Sequence, residues 1–148
     1  MAIVRSAGTE IIRTASFEDV VNSSQKLIVG VQHHIYTVLS LICYCEQRSG
    51  TESGYLRLVG YDAVGGTTAQ TIQMAKISVP AGETFVWNDK FSFNGFEPTD
   101  FSGPMDDATK QDAIADQGSS VSQYLAFLTD SSNTAYDIVV TYIDQNNA

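Results

Sequence analysis

A chain of 148 residues, 43 % hydrophobic and 17 % charged, is long enough to bury a core without disulfide or metal staples and is expected to form one domain. Its net charge of −9 lies wholly in residues 83–148, which carry eleven acids and two bases, whereas residues 1–82 carry six of each. Nucleic-acid phosphates and anionic membrane surfaces both need clustered Lys and Arg, so neither is expected as a partner. No segment approaches the 18 or more apolar residues of a membrane span, and the first residues hold no apolar signal core, so synthesis in a cytoplasm is expected.

Residues 1–25 read as an N-terminal arm or edge segment and residues 26–148 as a β-sandwich domain. The first segment has apolar positions at Ile3, Ile11 and Ile12 without a core of its own, as an arm reaching a neighbouring subunit or a shell would have. Residues 26–31 alternate Leu27, Val29 and Val31 and form a first strand. Residues 35–45 contain no Gly, Pro or charge and are rich in β-branched and aromatic side chains on both parities, which predicts a central strand covered on both faces. Cys43 and Cys45 share a face of that strand, too far apart for easy bridging, and are expected as buried free thiols.

The polar stretch 47–53 predicts a turn that pairs residues 55–62 with the central strand as a hairpin. In residues 71–79 the apolar phase slips between Ile72 and Met74 on one side and Ile77 and Val79 on the other, which predicts a β-bulge near Ala75 and Lys76. Pro80, Ala81, Gly82 and Glu83 carry a turn signature. Residues 84–93 predict a hairpin around Asn88, Asp89 and Lys90, with Phe85, Trp87, Phe91 and Phe93 on one face. With Phe96 and Phe101 these rings are either core filling or a partly exposed docking surface. Residues 104–117 are the single helix candidate, a short surface insertion. Residues 123–129 and 135–143 close the chain as a second hairpin, with Tyr136, Ile138, Val140 and Tyr142 on one face. About eight strands joined by turns predict an all-β fold, an antiparallel β-sandwich of jelly-roll type.

Catalytic constellations are not evident. His33 and His34 stand side by side in a polar stretch with no nucleophile elbow, and a zinc site lacks further Cys or His to complete four ligands. The glycines of 60–66 are not followed by the Lys of a phosphate loop. Asp100, Asp106, Asp107, Asp112 and Asp116 read as a solvated acidic face, since no calcium-loop order is present. No catalytic, metal-binding or cofactor-binding residue is therefore expected, and no cofactor.

The layout of a central strand, a Ser/Gly/Thr turn, a second strand, the run Ile77, Ser78, Val79, Pro80, Ala81, Gly82, Glu83, Thr84, Phe85, Val86, Trp87, a variable insertion and a final strand pair resembles small virion proteins of tailed phages. Head decoration, or cement, proteins are the nearest of these. The resemblance spans 26–143 in layout, and its most motif-like part is 79–84. It implies a non-enzymatic homo-oligomer in the virion, bound to the major capsid protein or another shell protein; the charge distribution then predicts the near-neutral half on the shell and the acidic half in solvent. Interface candidates are then Ile3, Ile11, Ile12, Phe85, Trp87, Phe91, Phe93, Phe96 and Phe101. A tail, fibre or neck component, or a carbohydrate-binding β-sandwich module, would share most of these features.

Overall fold

The computed structural model describes residues 9–61, 69–96, 108–109 and 122–146. In chain order the strands are β1 (Thr9–Val20), β2 (Gln25–Val29), β3 (His34–Gln47), β4 (Gly54–Tyr61), β5 (Ala69–Ile77), β6 (Thr84–Trp87), β7 (Phe91–Asn94), β8 (Tyr124–Thr129) and β9 (Ala135–Asn146). They form two antiparallel sheets. The first runs β1-β9-β3-β6 with β7 also on β3, and the second runs β2-β8-β4-β5. The helix expected over 104–117 falls outside the described residues apart from Ala108 and Thr109, and those two are in helical conformation.

The run 84–93 is not a hairpin. Trp87 lies opposite Leu41 and Phe91 opposite Val38, so β6 and β7 follow one another along the same edge of β3 and run in the same direction. They are one strand interrupted at Asn88, Asp89 and Lys90. On that count there are eight strands, four to a sheet, in the alternation of a jelly roll. β4 and β5, consecutive in the chain, pair antiparallel; the expected hairpins β3–β4 and β8–β9 instead cross from one sheet to the other. A polar turn reports that the chain reverses. It does not report whether the next strand pairs with the last or steps across the roughly 10 Å to the facing sheet.

Those two crossings are tied together. Glu52, in the β3–β4 loop, accepts hydrogen bonds from Ser131 Oγ at 2.5 Å and Thr134 Oγ1 at 2.6 Å, both in the β8–β9 loop. Ser53 N–H donates to Asp130 Oδ2 at 2.9 Å in the same cluster. The hydroxyl donors hold the Glu52 carboxyl below its ordinary range.

β3 is central as expected, with β9 on one side and β6 and β7 on the other. Its double-sided apolar pattern has a local cause: between Val38, opposite Tyr142, and Ser40, opposite Thr141, Leu39 is an extra residue. This bulge switches the inward parity from Tyr36 and Val38 to Leu41, Cys43 and Cys45, all at most 3 % exposed. Burial pushes the Cys43 thiol up to about 12, so it is an inert core thiol at neutral pH. β9 buries Tyr136, Ile138 and Val140, with Tyr142 packed at the margin. The slip in β5 is one residue before its expected place, since Leu56 and Arg57 face Ala75 and Gln73 and leave Met74 unpaired.

Two glycines position these elements. Gly82 sits at φ +87 where Glu83 N–H donates to Pro80 O at 3.1 Å, the positive φ a turn of this kind requires. Gly54 lies under the Phe127 ring, where an added Cβ would come 2.3 Å from Cζ.

A candidate contact face and its two ends

The four aromatics of β6 and β7 share one face, and that face is the inner one. They stand opposite Cys43, Leu41, Val38 and Tyr36, the buried side of β3. Phe93 belongs to the core, Phe85, Trp87 and Phe91 pack against it, and the Trp87 and Phe91 rings meet edge-on at 6.1 Å. Trp87 Nε1–H is satisfied by Asp89 O at 2.8 Å. Phe96 is half-buried at an isolated bridge to Ser122. Ile3 and Phe101 lie outside the described residues. Ile11 lines a cavity at one end of β1, and Ile12, 69 % exposed, points to the opposite, outer side of the sheet.

That outer side can be built row by row from the register. One row is Ser16, Val139, Ile42 and Val86; the next is Thr14, Thr141 and Ser40; the third is Ile12, Ile143, Thr37 and Ser92. None of these side chains is charged. Ile12, Ile42 and Val86 are among the most exposed large apolar residues described. Hydroxyls bridge neighbouring strands, Thr14 to Thr141 at 3.2 Å and Thr37 to Ser92 at 2.9 Å, which stiffens the face across the strands. The face draws on β1, β3, β6, β7 and β9, so among the described residues the near-neutral and acidic halves of the chain do not form two separate sides.

At one end of this field stand three carboxylates from three strands, Asp19, Glu46 and Asp137, whose oxygens lie within 4.8 Å of one another. Bulges place them there. β1 breaks register between Phe17 and Val20, with Asp19 at φ 51 and its N–H donating to Asp137 Oδ1 at 3.0 Å, and Glu46 is the extra residue between Cys45 and Gln47. A hydrogen bond from the protonated Glu46 carboxyl to Asp19, with the negative charges of Asp19 and Asp137, pushes Glu46 up to about 6. Three oxygens are half the shell of a hard cation such as calcium. The carboxylates singled out in the sequence, Asp100 to Asp116, lie outside the described residues.

At the other end is a polar tie centred on Asp144. Asp144 continues the inward parity of β9 and is only 7 % exposed, so its charge needs partners. Arg13 Nε on β1 donates to Oδ2 at 3.0 Å, and His34 Nδ1 at the start of β3 lies 2.5 Å from Oδ1. His34 is therefore a cross-strand partner and not a solvated turn residue. A 140 Å³ cavity lies beside this tie, lined by Thr9, Ile11, Arg13, His34, Asp144 and Asn146. The nearby Tyr36 hydroxyl accepts the Val31 N–H at 3.0 Å, and burial pushes it up to about 12, so it exchanges no proton at neutral pH.

No protein-family model matches the chain, and no curated protein matches it in sequence. Among solved structures it is similar to a protein of Bacillus endospore appendages, described as disulfide-linked pili, at TM-score 0.44 and 11 % identity over 100 % of this chain and 97 % of that one. It is also similar to the N-terminal endo-1,4-β-D-xylanase 10B of Clostridium thermocellum, solved as CBM22-1 and GH10 modules with xylohexaose, at TM-score 0.44 and 13 % identity over 93 % of this chain and 26 % of that one. A protein of the T13 IBDV viral particle aligns at TM-score 0.41 and 10 % identity over 99 % of this chain and 37 % of that one. At these scores and identities the likenesses bear on neither activity nor partner.

Proposed function

We propose that the protein is a non-enzymatic structural protein of a virus particle, which decorates the capsid shell and works through protein–protein contact. The observation that carries this reading is the outer face of the first sheet. Three rows, two across four strands and the middle one across three, at strand spacings of about 4.8 Å and row spacings of about 6.8 Å, cover on the order of 350 Å² without a charge. An uncharged, partly apolar field of that size is at the scale where patches on protein surfaces mark contact sites. In a chain of net charge −9 it is also a surface on which many copies can pack without bringing like charges together. The contact passes from the aromatics, which face the core, to the sheet face that carries Ile12. A sugar-stacking reading loses support for the same reason, since Trp87 and Phe91 turn their rings inward.

The test is quantitative mass spectrometry of particles purified from the system that encodes the chain. A fixed stoichiometry relative to the major capsid protein is the expected result. Presence only in tail fractions would replace decoration with a tail, fibre or neck role, and absence from all particle fractions would overturn the reading.

A further inference from the structure

We infer that the occupant of this outer face is the same face of a second copy of the chain, related by a twofold axis that runs across the strands along the row Thr14, Thr141 and Ser40. The inference rests on the reading of the face as a protein contact and adds the partner and the geometry.

The rows themselves carry the argument. A rotation about the middle row lays it on itself, hydroxyl against hydroxyl. It also lays the row of Ser16, Val139, Ile42 and Val86 against the row of Ile12, Ile143, Thr37 and Ser92 of the second copy, so that Val139 meets Ile143 and each of the other three positions sets an apolar side chain against a hydroxyl. The three rows thus meet their counterparts without a like-charge contact in this orientation. Charge selects between the possible axes. A twofold axis parallel to the strands would keep each row on its own counterpart and bring the Asp19, Glu46 and Asp137 ends of both copies together, six carboxylates at one place. The axis across the strands sends the two carboxylate ends to opposite sides of the contact. Each then meets the row of Gln145, Ile35 and Asn94, where Glu10 is the single acid.

The area sets the strength. Including the flanking rows, the face measures on the order of 20 Å by 30 Å, so that a pair buries about 1,200 Å², the lower edge of specific interfaces. A pair of this size is concentration-dependent, formed where copies are held close and loosened on dilution.

The experiment uses the full chain. Sedimentation equilibrium over a concentration series should show a reversible monomer–dimer exchange, and Val86→Lys should weaken it at least tenfold while leaving the circular dichroism spectrum and melting profile as in the wild type. Single cysteines treated with a short bismaleimide test the axis. Thr14→Cys lies on the axis and should link to itself. Ile12→Cys, two residues along the same strand, should not, because its counterpart is displaced by about 14 Å. Self-linking of Ile12→Cys without that of Thr14→Cys, or a wild-type chain that stays monomeric at every concentration, overturns the inference. A monomeric chain that is nonetheless found in particles, and lost from them on Val86→Lys, would leave the contact face standing and remove only the pairing. Pairing in solution by a chain absent from all particles would do the reverse.

Discussion

The two faces of β3 are similar in composition and opposite in fate. Inward, Tyr36, Val38, Leu41, Cys43 and Cys45 are sealed by the second sheet; outward, Ile35, Thr37, Ser40, Ile42 and Tyr44 have no described strand packed over them, and Ile42 and Tyr44 remain 39 % and 38 % exposed. An outward face that served only solubility would carry charge, as one-sided antiparallel sheets usually do. Here the charge stands at its margins, in the Asp19, Glu46 and Asp137 group, at Glu10, and at Asp89 and Lys90 on the β6–β7 edge, and the middle is left to Ile, Val, Thr and Ser. The inner face accounts for folding. The outer one is spare for folding, and the proposed contact with another protein would give it a use.

If that division is right, substitutions on the two faces should separate cleanly. The largest effect is expected from Phe127→Ala. Phe127 is fully buried, meets Tyr136 edge-on at 5.4 Å and covers Gly54, so its removal should cost about 3–5 kcal/mol in chemical denaturation. Gly54→Ala drives a methyl into that same ring and should cost about 1–3 kcal/mol. Combined with Phe127→Leu it should cost less than the sum of the two single changes, because they share one space. On the outer face, Ile12→Thr or Val86→Thr should change monomer stability by no more than about 0.5 kcal/mol. A cost on the inner-face scale for either would show that the outer face is part of the fold after all.

The smallest effects are electrostatic and concern the edges of the comparison. Glu46 is protonated more readily in the folded chain, up to about 6 against an ordinary 4.5. The stability it contributes is therefore complete below 4.5 and lost as pH rises through about 6, and Glu46→Gln should flatten the stability profile in that window. Glu52 has the opposite sign, because Ser131 and Thr134 donate to its carboxylate. Its contribution is present above the ordinary carboxylate value and is lost as pH falls below it, so Glu52→Gln should flatten the acid limb instead. Melting curves across pH 3–8 read both.

What could be read from the residues follows the range of the interaction. The buried side of β9, the thiols of Cys43 and Cys45, the Gly82 turn and the shared face of Phe85, Trp87, Phe91 and Phe93 all follow from period-two alternation or from one φ angle, and the structure has each of them. Strand partners do not follow from alternation. The turns at 48–53 and 130–134 look like hairpin turns and are sheet crossings, and the continuous use of β3 by β6 and β7 is invisible until both edges are placed. Bulges at Leu39 and Asp19 shift parity without any composition signal. The Asp19, Glu46 and Asp137 group joins residues from three strands and had no local trace. Asp144 did leave one: a carboxylate in phase with Tyr136, Ile138, Val140 and Tyr142 points inward and needs polar partners, which are the Arg13 guanidinium and the His34 ring.

The claim that the outer face is a contact surface is tested most directly by one double substitution, Ile12→Lys with Val86→Lys, followed by quantitative mass spectrometry of purified particles alongside the melting curve of the isolated protein. The account predicts a melting midpoint close to that of the wild type and loss of the chain from particles. Full incorporation of the double variant at wild-type stoichiometry would contradict it.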